Sequence, residues 1–347
     1  MNSSLTSSNH SEGTAKEFGL PTGQSNRSRE PDLLFVLLLG IVWGSTFPVI
    51  RAGIVAGAPP LLFASVRYLL TAAVLVPLAF LFRTPRPAPG TLWSPALFGG
   101  LFVVAGYGGL LYLGEVTTSG GLAAVLTASA PLASALFGIF LLPTEKLGRW
   151  GTGGLLVGFC GVGVLVLPQL AHPFSAGFVG PALVVAAVLV FAIGSVLLRR
   201  TSTGTPSLWT LALQFAIAGL VVGAASLAAR EPLGLGHGLT VPLALVYLVF
   251  LPGVLGYTLY FRIHHRSGPT RANLVGYINP VTGVLVGLLV FGEAVTGFEL
   301  GGMALIALGL FLVQKDHARP GSAQTRKEGG ASVTPTPPSL RVRNRGP

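Results

Sequence analysis

The chain has 347 residues, 51% of them hydrophobic and 10% charged, with a mean hydropathy of +0.72 and a formal net charge of +11. Soluble domains carry about 25% charged residues and need a polar shell, so this composition excludes a water-soluble globule and requires lipid to cover the apolar excess. The single cysteine, Cys160, excludes an intrachain disulfide and a cysteine metal cluster.

Residues 1–31 are rich in Ser, Asn, Gly and charge, and they lack the short apolar core of a cleavable signal peptide. They are expected to form a disordered N-terminal tail. A helix needs about 20 apolar residues to cross the hydrocarbon layer. On that ruler the sequence predicts spans at 32–51, 60–82, 93–114, 118–142, 149–168, 177–198, 206–229, 240–261, 269–292 and 295–314. Their connections are short and marked by Pro, Gly or charge, as in Arg83-Thr84-Pro85-Arg86-Pro87, and leave no room for a soluble domain. Backbone amides in lipid must bond internally, and the apolar runs are too long for barrel strands. The fold class is therefore an all-α membrane protein with ten transmembrane helices. Residues 316–347, a Pro, Ser, Thr and Arg mixture, are expected to be a disordered C-terminal tail.

Lys and Arg collect in cytoplasmic loops. With a cytoplasmic N-terminus, the inner loops hold Arg83, Arg86, Lys146, Arg149, Arg199, Arg200, Arg262, Arg266 and Arg271, against Arg51 and Arg230 outside. Both termini are therefore expected to be cytoplasmic, in a multi-pass protein of the cytoplasmic (inner) membrane. The basic balance reads as a topology signal and not as a nucleic-acid surface.

The sequence also repeats itself. An offset of 148 pairs Tyr112 with Tyr260, Gly108 with Gly256, Gly120 with Gly268, Ala124 with Ala272 and Glu145 with Glu293. It continues through Gly153-Gly154 with Gly301-Gly302 and Gly161 with Gly309, while Pro131 falls one residue from the partner of Pro280. Nearby offsets match Gly44-Ser45 with Gly194-Ser195 and Arg67-Tyr68 with Gln214-Phe215. Residues 32–168 and 177–315 thus form two five-helix repeats. An odd number of helices per copy makes the second enter the membrane from the opposite side, and such inverted repeats suit alternating access.

Several of these residues resemble a known family. Trp43-Gly44-Ser45-Thr46-Phe47-Pro48 resembles the opening helix of EamA-type permeases in the drug/metabolite transporter superfamily. Gly268-Pro269-Thr270-Arg271-Ala272-Asn273, through Tyr277-Ile278-Asn279-Pro280 to Phe291-Gly292-Glu293, resembles their ninth helix, and Ser119 through Pro131 to Glu145 their fourth. The resemblance covers roughly residues 32–315. It implies cytoplasmic termini, a central cavity lined by helices 1, 3, 4, 6, 8 and 9, and export or import of amino acids, other metabolites or drugs.

Within that frame, Pro131 and Pro280 sit mid-span, where proline removes an amide donor and kinks a helix. Thr127, Ser129, Tyr277 and Asn279 beside them offer hydrogen bonds to a solute or to a neighbouring helix. Arg67 lies about 10 Å along the second span, at a depth where a charge needs a partner and is a functional candidate by default. Gln214 is its neutral counterpart. Trp43, Thr46, Tyr107, Tyr112, Tyr257 and Tyr260 supply polar-edged surfaces for an amphipathic solute, or for the lipid headgroup level. Glu145 and Glu293 precede spans five and ten, where an anion favours the helix N-terminus. The histidines fall in loops or tails and no Asp or Glu sits deep in a span, so no acid or histidine relay for proton coupling is visible. Neither a phosphate-binding glycine loop nor any other cofactor or metal motif is found. Gly154 and Gly158 suit close packing on another helix or on a second copy, which keeps a homodimer among the candidate partners beside the solute and membrane lipid.

The expected function is a secondary transporter of small organic solutes. An integral membrane enzyme acting on a lipid-linked substrate would need clustered acid, base or metal ligands at one membrane face, and none is found. A non-transporting sensor has little loop surface to work with.

Overall fold

The structure is a computed structural model and describes residues 30–142, 147–171, 176–201, 207–236, 238–267 and 274–317. Ten apolar helices run in sequence: α1 (Leu34–Val55), α2 (Pro60–Leu81), α3 (Thr91–Gly114), α4 (Gly120–Leu141), α5 (Arg149–Gln169), α6 (Gly177–Arg200), α7 (Leu208–Ala228), α8 (Thr240–Tyr260), α9 (Val275–Phe291) and α10 (Gly297–Asp316). Every one but α9 has at least 20 residues. The predicted start of α9, 269–273, lies outside the described residues, as does Glu145.

Local chemistry sets the helix ends. Pro60 opens α2 after an extended Pro59, where its missing amide costs nothing. Ser119 and Ser207 cap α4 and α7 by accepting from Leu122 N and Thr210 N. Thr296 and Glu299 form a reciprocal capping box at the start of α10. Gly292 ends α9 in the left-handed conformation, φ 68°.

Several helices are irregular. α1 is interrupted at Ser45, between Glu30–Gly44 and Thr46–Val55, three residues before Pro48, and Ser45 Oγ donates back to Ile41 O at 2.7 Å. It also runs to Val55, so Arg51 stands in its last turns and not in a loop. α3 and α8 each contain an eight-residue π-helical stretch, Gly99–Gly106 and Val249–Gly256, ending immediately before Tyr107 and Tyr257. The two stretches are 150 residues apart, so here the repeat pairs Tyr107 with Tyr257, a register two residues longer than the identity of Tyr112 and Tyr260 suggests.

Packing follows the repeat. α2 packs on α7, α4 on α9 and α5 on α10; the contact of α1 with α9 is mirrored by α6 with α4, and that of α3 with α6 by α8 with α1. All of these join one half to the other, so the repeats interlock. Between α5 and α10 a Cβ on Gly154 would meet Gly309 O, and one on Gly161 would meet Gly302 O. These glycines bring two backbones together within the chain, while Gly158 receives the Leu132 side chain of α4. Outward positions such as Phe140 (77% exposed) and Leu289 (76%) present apolar side chains to the surroundings, as a lipid-facing surface requires.

Candidate functional site

Arg67 lies at the meeting of the halves, where α2 packs on α7. It is buried, its Nη1 donates to Tyr112 Oη at 3.0 Å, and its enclosed Nε has no partner. The guanidinium also faces the Tyr68 ring at 5.7 Å. A fixed cation with an unsatisfied donor in an apolar interior is costly, and an anionic oxygen is the chemistry that would complete it.

An aromatic chain leads from this cation into the second half. Tyr112 meets Tyr68 at 6.3 Å, Tyr68 meets Phe215 at 5.8 Å, Phe215 meets Tyr257 at 5.5 Å, and Tyr257 meets Trp43 at 5.4 Å. Trp43 adds Tyr260 at 5.5 Å and donates from Nε1 to Pro252 O at 3.2 Å. Tyr107 packs on Phe191 and has Thr127 beside its hydroxyl. The structure therefore brings Arg67, Trp43, Tyr112, Tyr257 and Tyr260 into one tract with Phe215, built from α1, α2, α3, α7 and α8, while the Tyr107 ring packs on Phe191 of α6.

Other predicted residues serve the helices themselves. Thr46 and Thr127 donate to Val42 O and Ala124 O, and Ser129 to Leu126 O. With its amide oriented to satisfy both groups, Asn279 donates to Gly40 O at 3.2 Å and Val275 O at 3.1 Å, tying α9 to α1. The two prolines are used differently. α4 is interrupted just before Ala130, with exposed Pro131 opening its second segment, whereas α9 continues unbroken through buried Pro280. Pro280 and Tyr277 line an apolar recess with Met303 and Ala307 of α10, and the Tyr277 hydroxyl there has no partner.

Acidic residues behave least as the sequence suggests. Glu293 does not cap α10, whose N-terminus has its own capping box. It reaches across to the other half and accepts from Gly120 N and Gly121 N at the start of α4, both at 2.8 Å. Glu231 does the same for α2, accepting from Leu61 N and Leu62 N at 3.1 and 2.8 Å while Ser226 Oγ donates to it at 2.7 Å. Both carboxylates sit at positively polarised helix ends, where two charge-assisted bonds hold them. Glu115, one residue beyond the predicted third span, is fully buried at the end of α3, and neither carboxylate oxygen has a hydrogen-bond partner. Arg51 Nη1 beside it donates to the Glu115 and Val116 carbonyls and not to the carboxylate oxygens. The signals available in the sequence were the position of Glu115 directly after an apolar run and the glycine pair opening α4. Among the described residues, no group of His, Cys, Asp and Glu could hold a metal ion.

Comparison with known proteins agrees with this architecture. A family profile described as "EamA-like transporter family" matches residues 31–167 and again 178–314. An uncharacterized inner membrane transporter of Escherichia coli, YedA, is 30% identical over 276 residues, covering 79% of this chain and 88% of that protein. A probable amino-acid metabolite efflux pump of Salmonella typhimurium is 28% identical over 295 residues, covering 81% and 94%. A solved crystal structure, 22% identical, superposes with a TM-score of 0.58 over 82% of this chain and 98% of its own, which shows a shared fold.

Proposed function

Because the chain belongs to the EamA-like transporter family, and is thus a multi-pass membrane transporter, we propose that it is a secondary carrier for small organic solutes bearing an anionic group, amino-acid metabolites among them. The observation that carries this reading is Arg67: a buried cation with an unsatisfied Nε, placed where the two halves meet and flanked by tyrosine rings. The solute carboxylate docks on the guanidinium, and its apolar portion lies along the tract from Tyr68 to Trp43. Trp43 and Tyr257 shape that tract, and Tyr107, Thr46, Thr127, Tyr277 and Asn279 are secondary candidates for contact in another conformation of the carrier.

Transport proceeds by alternating access, with the interlocked repeats rocking about the central site. The carrier resides in the cytoplasmic membrane with both termini inside, supported by nine basic residues in or beside one set of connections, against Arg51 in the last turns of α1 and Arg230 on the other side. On that orientation the α3–α4 and α9–α10 connections are external, and the bonds of Glu293 and Arg51 seal the outer side. The direction of net transport is export, on the likeness to the metabolite efflux pump.

Counterflow in vesicles reconstituted with the purified protein tests the proposal. Vesicles preloaded with a panel of amino acids, their carboxylate metabolites and matched neutral amides are expected to show saturable exchange of a carboxylate and none of its amide. Equal exchange of acid and amide would remove Arg67 from recognition, and no exchange across the panel would overturn the carrier reading.

A further inference from the structure

Glu115 is a fully buried ionisable group that solute recognition does not use. Its carboxyl is fully enclosed, has no hydrogen-bond partner, and lies on the same side of the protein as the bonds between Glu293 and the start of α4. Thr118, three residues on, also has a buried hydroxyl without a partner, so two unpartnered polar side chains are enclosed just beyond the end of α3. An ionised carboxylate without donors is strongly disfavoured in such surroundings, and binding a proton is the simplest way to remove the charge.

Among the described residues, the charged and titratable neighbours of Glu115 come from four elements. α1 contributes Arg51, α2 contributes Arg67, α3 contributes Tyr107 and Tyr112, and the α9–α10 connection contributes Glu293. α6 brings Gly180 and Val184 against Gly114 at this end of α3. Burial pushes the Glu115 carboxyl well above the usual carboxylate range, and Glu293 pushes it further, while Arg51 and Arg67 pull it partly back.

We propose that Glu115 is a proton-binding site that locks the junction between α4 and the α9–α10 connection. With the proton bound, Glu115 is neutral and Glu293 holds Gly120 and Gly121. When the proton leaves to water, two carboxylates face each other across this interface, Glu293 releases the α4 N-terminus, and the junction opens. Opening hydrates Glu115 and returns it to the ordinary carboxylate range. The closed form therefore binds more protons than the open form. It is favoured at pH values below the ordinary carboxylate range and loses its advantage, by up to about tenfold per pH unit, as pH rises toward the elevated pKa of the closed form. In the carrier proposed above, on whose rocking motion this lock rests, the device couples the conformational cycle to the proton gradient.

The junction is read without any solute. In a Cys160→Ser background, Leu122→Cys reports the first turn of α4, where Leu122 is buried. The purified protein in nanodiscs, with both faces open to solution, is labelled by a maleimide at a series of pH values. The labelling rate is divided by that of the same cysteine in a Glu115→Gln background, which cancels the pH dependence of the thiol. The ratio is expected to rise at least fivefold from acidic to alkaline pH, and Glu115→Asp is expected to restore a rise that Gln abolishes. A flat ratio would overturn the proposal. Should Glu115→Gln fail to fold, Glu293→Gln replaces it as the reference: without the second carboxylate, labelling no longer responds to deprotonation, and a pH profile equal to that of the parent would be as damaging. Counterflow is a separate measurement, so the carrier reading and the proton lock fail independently.

Discussion

The second helix of each half holds a buried polar residue at equivalent positions, Arg67 in α2 and Gln214 in α7, and their surroundings differ. Arg67 keeps an unsatisfied Nε among tyrosine rings, whereas Gln214 donates to Pro95 O at 3.1 Å within a closed helix contact. The same contrast appears at the helix N-termini, since α2 is capped from the other half by Glu231 and α7 by its own Ser207. Duplication supplied two copies of one frame, and only the first carries an uncommitted charge. An inverted repeat can thus keep its symmetry in packing while placing recognition on one side of the pseudo-axis.

Removing the charge probes the contrast most strongly. Arg67→Gln makes the halves alike at this position, and counterflow of an anionic solute is expected to fall by a factor of ten to a hundred, on the scale of a lost charge-assisted bond of about 1.5–3 kcal/mol. Exchanging the two residues, Arg67→Gln with Gln214→Arg, should not restore transport, because position 214 faces Pro95 O and Gly99 and not a tyrosine hydroxyl. Recovery to more than half of the parent rate would make the halves equivalent and break the comparison. Tyr112→Phe removes the one hydroxyl bonded to Arg67; a three- to tenfold rise in KM with little change in kcat is expected, for a bond worth about 1 kcal/mol. The smallest effect belongs to Gln214→Leu, which should leave KM unchanged and cost about 0.5–1.5 kcal/mol in stability, read as a lower midpoint of thermal unfolding in detergent. A raised KM there would give the second half a share in recognition.

Much of this architecture is legible in the sequence because the hydrocarbon layer imposes a length and the positive-inside bias a polarity. The ten apolar runs, the paired glycines of α5 and α10 and the match of Arg67 to Gln214 all register in composition and spacing. The partners of Glu293 do not. An acid just ahead of a helix looks like a cap for that helix, and the capping box of Thr296 and Glu299 that frees it for α4 emerges only in three dimensions. Glu115 is hidden for a similar reason: one residue beyond an apolar run it looks hydrated, and the packing of α1, α3 and α6 takes that water away. The π-helical stretches in α3 and α8 mark a local repeat register of 150 where identity matching gives 148, because a few identical residues do not fix which turns correspond. The candidate tract is legible in its aromatic members, while Thr46, Thr127 and Asn279, residue types that hydrogen-bond equally well to solute or backbone, turn out to be engaged with the backbone.

The interlocking of the repeats has a consequence for biosynthesis. Each half finds its main packing surfaces on the other, α2 on α7, α4 on α9 and α5 on α10. Until translation reaches the second copy, the first five helices lie in the bilayer with their mating faces uncovered, Arg67 among them. The final packing can therefore be completed only after α10 has been made and its glycines meet those of α5.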